Sequence, residues 1–437
     1  MRFPYLALAI GLTLPVSDGL AAHDSWTRFR GSDGTGIAAE ARPPTEWSET
    51  KNLRWKTDLP GPGASSPIRF GDRIYVTCFG GYGENGKPEG DFATLARHLV
   101  CLDAASGKIR WSSGIPAAPA EARYTRLAEH GYASHTPATD GERVYVFFGK
   151  SGVLAFDLDG RRLWQADVGQ ESGRQGFGSA ASLVLHQNLV IVNAAEESRS
   201  VRALEKATGR ERWRAEGTGF ANVYNTPLQH TLPDGRHELV VAVQNRVRGL
   251  DPDTGKERWF ATAPISGNLA ASVVAANGVF YAFSGNQRPG TVAIRAGGVG
   301  DVTNTHVLWT SRLGPDFGTP VLHGGHMYFA TSRGMAVCLD ATTGAEIYQE
   351  RLGGGRGAAR SYASPVLADE KLFLATRGTG TLVLAAKPAY QLLARNVVAD
   401  DASDFSATPM IVGHEIILRS NRAIYCFAAG AGGNRAN

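Results

Sequence analysis

Cysteine is scarce here, with four among 437 residues. None of Cys78, Cys101, Cys338 and Cys426 stands in a Cys-x-x-Cys pair, so the zinc and thioredoxin motifs built on that spacing are excluded. No Gly-x-Ser-x-Gly, His-Glu-x-x-His or phosphate-loop pattern occurs, which removes the common hydrolase, zinc-protease and nucleotide-binding signatures. Runs of Lys and Arg are missing too. The formal net charge is +4 and evenly spread, too little to argue for nucleic acid. Beyond the N-terminus no segment is apolar enough to span a bilayer, which needs about 18 to 20 residues.

The N-terminus itself reads as an export signal. Arg2 gives the positive end, Tyr5 to Val16 a short apolar stretch, and "GLAA" small residues for cleavage near Ala21 or Ala22. Pro15, Ser17 and Asp18 cut the stretch too short for an anchor, and no Cys stands near the cleavage site to take a lipid. The expectation is a signal peptide over 1–22, an N-terminal extension over 23–52, and a soluble, monomeric protein in a periplasm or outside the cell, without a transmembrane segment. Export permits disulfides, but spacing alone leaves any pairing of Cys78 and Cys101 open.

What the chain has in quantity is glycine, 53 residues, and short apolar runs. "GLDPDTGKERW" (Gly249 to Trp259) has relatives at Cys101–Trp111, Ala155–Trp164, Ala203–Trp213 and Cys338–Tyr348, with weaker copies near Ala293, Leu384 and Tyr425. Each copy follows two more strand-like runs. The first opens on a Ser/Thr-Pro pair, as at Ser66-Pro67, Thr136-Pro137 and Thr408-Pro409, with Ser182 and Ser272 assigned to the Pro place in two copies. The second is an alternating run such as "RIYVTC" or "KLFLAT". The step is about 45 residues, longer in the first repeat, the mark of a propeller or solenoid. Four strands, A to D, fit one repeat. The Asp-x-x-Thr-Gly segment is the C–D hairpin turn, and the Trp lies on strand D, where it can dock on a neighbouring repeat.

Eight A strands can be counted, but the last repeat ends without a D strand. "LRWKTDL", Leu53 to Leu59, has the pattern of one. The fold expected is therefore all-β: an eight-bladed propeller of four-stranded antiparallel blades over 53–430, with the N-terminal strand completing the last blade and removing an open edge. Residues 431–437 form a tail.

On the repeats Gly249–Trp259, Ala203–Trp213 and Cys101–Trp111, the chain resembles the eight-bladed propellers of the quinoprotein (PQQ) repeat superfamily. That superfamily contains both PQQ-dependent alcohol dehydrogenases and non-catalytic members of the BamB type. The resemblance to the dehydrogenases would imply a cofactor held between a Trp floor and a disulfide of adjacent cysteines, beside calcium and a catalytic Asp. No two cysteines here are adjacent. Trp55, Trp111, Trp164, Trp213, Trp259 and Trp309 are taken by docking positions, and Trp26 and Trp47 fall in the N-terminal extension. The reading adopted is a non-catalytic scaffold with no metal or cofactor, closer to the BamB-like members, binding an envelope protein or a small polar ligand. The alternative is a quinoprotein oxidoreductase using PQQ and calcium on alcohols or sugars. No catalytic residue can be assigned by motif.

Ligands favour concave, loop-lined places on rigid scaffolds, which points to the D–A connections around the central funnel. They supply the candidate ligand-binding residues His130, Tyr132, His135, Arg174, Gln175, Phe177, Asn222, Tyr224, Asn225, Asn268, Asp316, Phe317, Arg360, Tyr362, Asp404 and Phe405. Blade 1 carries two insertions on the same face, Gly80–His98 and Ala117–Gly131, the second with room for a short helix. The pairs His323/His326 and His230/His237 lie by A–B turns, without a third ligand, and read as surface residues.

Overall fold

The structure, a computed structural model, describes residues 25–121, 124, 130–173, 175–285, 290–354 and 359–430. The signal sequence expected over 1–22 and the tail over 431–437 lie outside the described residues, as does most of the short helix expected in the second insertion. Eight sheets follow one another along the chain, each with four antiparallel strands, the fourth sheet extended by a short parallel fifth strand. In blade 1 the strands are Ile68–Phe70, Arg73–Gly80, Ala96–Asp103 and Ile109–Pro116. Blade 8 has Met410–Val412, Glu415–Arg419 and Ala423–Ala428, and takes its fourth strand, Leu53–Asp58, from the other end of the propeller. Trp55 pairs with Cys426 and Thr57 with Ile424, so the ring closes with strand hydrogen bonds instead of an open edge.

The C–D pairing of each repeat carries a bulge, which in every blade but the seventh lies beside a strand-D aromatic, for example between Ala203 and Leu204 opposite Trp213. A bulge re-aims a side chain, and here it turns the indole out of its own blade. The residue facing the aromatic must be small. Ala203 faces Trp213, Gly249 faces Trp259, and Cys101, Cys338 and Cys426 face Trp111, Tyr348 and Trp55. Three of the four cysteines are thus small-slot residues. All four are buried free thiols, and the pairing left open for Cys78 and Cys101 is not made; in the strand ladder Cys78 faces His98 and Cys101 faces Tyr75.

The turned-out indoles bind blade to blade. Trp55, Trp111, Trp164 and Trp213 donate Nε1–H to Ala104, Leu158, Lys206 and Pro252 carbonyls in the next blade's C–D turn, at 2.9–3.1 Å. Each ring covers a turn glycine. At Gly107, φ is +71° and a Cβ would stand 2.5 Å from the Trp55 ring, so only glycine fits. Trp259 departs from this pattern. The following C–D connection has been rebuilt: Gly300–Asp301 runs back to pair in parallel with Trp259 and Phe260. Trp259 instead stacks on Phe280 at 5.8 Å and donates to the buried Glu238 carboxylate at 3.2 Å.

Candidate functional site

The first residues of the A strands meet around the axis. The Ser66 N–H donates to the Thr136 hydroxyl at 3.0 Å, Thr136 to Ser182 at 3.1 Å, and Ser182 to Thr226 at 2.9 Å. The chain continues from Thr226 to Ser272, Thr319, Ser364 and Thr408 at 2.9–3.0 Å. One hydroxyl from each of blades 2 to 8 thus satisfies the backbone of the preceding blade and fixes the bore of the channel. This corrects the register assigned to two repeats. Ser182 and Ser272 hold the hydroxyl place, not the proline place, because they accept the N–H of the preceding blade.

The N-terminal extension closes one end of the channel. Trp26 bridges Arg69, the Thr27 carbonyl accepts the Thr139 N–H, and Ile37 bridges Leu367. These contacts lie by the far ends of A strands of blades 1, 2 and 7, so the segment crosses the opening as a strap. Phe29 faces the channel. Arg30 is buried and donates to the Thr319 and Pro320 carbonyls at 2.7 and 2.6 Å and to the Thr35 carbonyl at 2.6 Å. Burial, with Asp33 only partly opposing it, lowers the Arg30 pKa to about 9. Its backbone φ of +64° is unusual for a residue with a side chain, and the four carbonyls around its guanidinium hold it there.

Above this floor opens a funnel of about 630 Å³, within the range of small-ligand sites. His130, Phe177, Tyr224, Asn268, Phe317, Arg360 and Tyr362 line it, as expected from the D–A connections. Their rings form two arcs. His130, Phe177 and Tyr224 lie 6.1 and 6.0 Å apart in succession, and Phe317 and Tyr362 lie 4.7 Å apart. The Arg377 guanidinium sits 4.7 Å over Tyr362 and pairs with Asp404. Buried polar atoms remain open at the wall, with the Tyr224 hydroxyl and Asn268 Oδ1 lacking a partner among the described residues. Among the described lining residues none is a carboxylate and none is a tryptophan.

Other expected residues support the site from behind or lie beside it. Asn225 is buried and its amide holds the Ala242 and Leu269 carbonyls at 2.9 and 3.3 Å. Asn222 takes the left-handed φ of +56° and its carbonyl accepts the Leu269 N–H. Asp316 accepts the Ser332 N–H and O–H, both at 2.6 Å. Phe405 belongs to the core over Tyr425, and Gln175 stands apart from the funnel wall. Asp404 lines a second cavity of about 660 Å³ that meets the funnel at His130, Ala64 and Ser406 and runs out between blades 8 and 1. Gly83 to Gly86 of the first insertion form one wall of it. Arg174 lies outside the described residues.

Tyr132 and His135 are buried in a polar knot between blades 1 and 3. Tyr132 stacks on Tyr124 at 4.3 Å, and its carbonyl accepts Arg97 Nε–H at 2.9 Å. Arg97 and Glu121 form a buried ion pair at 3.0 Å. His135 Nε2 lies 3.1 Å from the Ser179 hydroxyl, and burial with nearby Arg97 holds its pKa well below the usual range, so the ring is neutral. Glu196 and Glu197, on the helical turn Ala195–Ser198, are buried as well. Burial raises Glu196 to about 7. It raises Glu197 to about 8, with Ser179 opposing and Glu196 adding.

Sequence reasoning missed Phe29, Arg333 and the hydroxyl ring. The ring had a signal, since the Ser or Thr recurs in every repeat. Arg333 comes from a B–C turn of blade 6, and nothing local marks Phe29 as a channel residue.

The model of the family described as outer membrane protein assembly factor BamB matches residues 91–218, 178–303 and 295–394. No curated protein matches the sequence. Among solved structures, BamB from Moraxella catarrhalis superposes with a TM-score of 0.59 at 12% identity, over 86% of this chain and 99% of that one. The quinohemoprotein alcohol dehydrogenase ADHIIG from Pseudomonas putida HK5 superposes with a TM-score of 0.56 at 12% identity, over 95% and 81%. The computationally designed Ika8 protein follows with 0.55 at 10% identity, over 85% and 98%. At such identities the structures share the fold alone. With the repeats, the closed ring of eight blades and a family model spanning residues 91 to 394, the chain belongs to the BamB family of PQQ-like propellers.

Proposed function

We propose that this protein is an exported, non-catalytic binding propeller of the cell envelope, which holds a partner or ligand at the funnel face. The observation that carries this reading is the funnel itself. It is closed below by Phe29, walled by aromatic rings, and edged by polar atoms that lack a partner. Buried polar groups without partners are costly, and a ligand that satisfies them recovers that cost. The groove between blades 8 and 1 widens the same face, and the blade 1 insertion gives a partner protein a raised edge to meet.

The rival reading is a quinoprotein oxidoreductase, suggested by the fold shared with the alcohol dehydrogenase. Calcium needs several oxygen ligands, usually with carboxylates among them. The described funnel residues supply none, nor a Trp floor, and the cysteines are apart. These residues do not fit the calcium–PQQ sandwich, so no reaction step is derived through it.

The test is a titration with PQQ and calcium, read by absorbance and by alcohol-dependent dye reduction, beside crosslinking of the protein in its own envelope. The binding reading expects no dye reduction and a crosslinked envelope partner lost on deleting Gly80–His98. Saturable PQQ binding with dye reduction refutes it. Amino-terminal sequencing of the mature protein tests export, with a first residue after Ala21 or Ala22 expected.

A further inference from the structure

We infer that the funnel takes a small organic anion built on a ring, such as an aromatic or sugar acid or a phosphorylated ring. The inference rests on reading the funnel as a binding site and names the chemistry of its ligand.

Charge gives the first argument. Arg333 and Arg360 both line the funnel and both are exposed. Neither guanidinium group has an ion-pair or hydrogen-bond partner among the described residues, although the Arg360 carbonyl accepts the Arg377 N–H. That sets them apart in this chain, whose other arginines are mostly spoken for: Arg69 by Glu415, Arg97 by Glu121, Arg110 by Asp72 and Asp103, Arg202 by Glu211, Arg258 by Asp251. Two unpaired guanidinium groups in a concave site without a lining carboxylate focus positive potential there. Guanidinium groups favour planar, oxygen-bearing anions that accept two hydrogen bonds at once.

Hydrogen-bond polarity gives the second. Each ring hydroxyl from Thr136 to Thr408 spends its oxygen accepting a neighbour's N–H. Its own proton has no acceptor among the described residues. The base of the funnel is therefore rich in O–H donors, which suits a ligand rich in acceptor oxygens, while Asn268 Oδ1 offers an acceptor at the wall. The Tyr224 hydroxyl, nine-tenths buried and unpartnered, adds another donor at the wall.

Shape gives the third. The two aromatic arcs occupy different sectors of the funnel, Phe177 and Tyr224 on the connections of blades 2 to 4 and Phe317 and Tyr362 on those of blades 5 to 7. Aromatic side chains in the wall favour contact with a ring of the ligand. Phe29 closes the far end, so a ligand enters and leaves by one side and must be small enough for about 630 Å³.

The experiment uses the full mature protein and saturation-transfer NMR with calorimetry. The probes are benzoate, glucuronate and phenyl phosphate, their neutral counterparts benzamide, glucose and phenol, and the ringless anions acetate and inorganic phosphate. At least one ring anion should bind saturably, about tenfold or more tighter than its neutral counterpart and than its ringless one. Which of the three binds best separates carboxylate from phosphate and aromatic from sugar. Arg333→Gln and Arg360→Gln should each weaken it about tenfold. Both leave the unfolding temperature unchanged, because neither side chain is buried or paired. Equal binding of anion and neutral counterpart overturns the inference, as do wild-type affinity in the double variant and failure of all ring anions at millimolar concentration. A protein partner crosslinked at the funnel with no ring anion bound overturns the inference and leaves the binding reading standing. A ring anion bound together with PQQ-dependent dye reduction supports the anion site and overturns the non-catalytic reading.

Discussion

Replacing Glu197 with glutamine should make the protein less sensitive to alkali. Glu197 is fully packed away beside Ser179 and Glu196, and its pKa rises from 4.5 to about 8. Burial is the main cause, since it disfavours the charged form. The folded protein therefore keeps a proton that the unfolded chain gives up near 4.5. A raised folded pKa gives stability that is fully present below the unfolded value and lost as pH climbs through the folded one. The window is thus about pH 4.5 to 8. One pKa unit is worth about 1.4 kcal/mol, so Glu197 should withdraw about 5 kcal/mol across that window. Glutamine keeps the shape and cannot ionise. The assay is urea unfolding of wild type and Glu197→Gln at pH 5, 7 and 9. At pH 5 the two should be nearly equal. At pH 9 the variant should be the more stable by several kcal/mol, with a residual slope left by Glu196, itself raised to about 7. Parallel pH profiles, or a variant weaker than wild type at pH 9, would show that the carboxyl is not held neutral in the fold.

Three further outcomes follow from the packing. Arg30→Met should cost about 3 kcal/mol in thermal unfolding, because the buried Thr319 and Pro320 carbonyls lose their donors; a loss within error would mean the strap is dispensable. Gly107→Ala should cost about 2 to 4 kcal/mol, since it forces a Cβ into a left-handed residue and against the Trp55 ring; differential scanning calorimetry reads the shift, and no shift would remove the argument for glycine at that turn. The cysteines should be silent to a thiol reagent in the folded state and all four should react on unfolding without reductant, because they are buried and free, with burial raising Cys78 and Cys101 to about 11; fewer than four thiols in the unfolded chain would reveal a disulfide.

The repeats carried the fold in plain view. Strand periodicity, the C–D turn and the orphan strand at Leu53 are local patterns, and a propeller is built from local hairpins. Closure of blade 8 by that strand was legible because a missing strand at one end matched a surplus one at the other. The small slot opposite each indole was also written in the repeats, although the bulge that makes it necessary was not. The candidate site was half legible. The D–A connections do border the funnel, and His130, Phe177, Tyr224, Asn268, Phe317, Arg360 and Tyr362 line it. Tyr132, His135, Asn225 and Phe405 stand on similar connections yet turn into the body of the protein. A loop has no period that fixes where a side chain points, so only the packed neighbours decide.

Sequence by itself settled eight blades, their order, their closure and the rows of tryptophan that bind them, because each follows from contacts close along the chain or from a repeat that can be counted. Tertiary structure alone decided that the channel is blind. Arg30, next to Phe29, reaches its partners at Thr319 and Pro320 across about 290 residues, and no local pattern encodes a contact whose two halves meet only once the ring has closed.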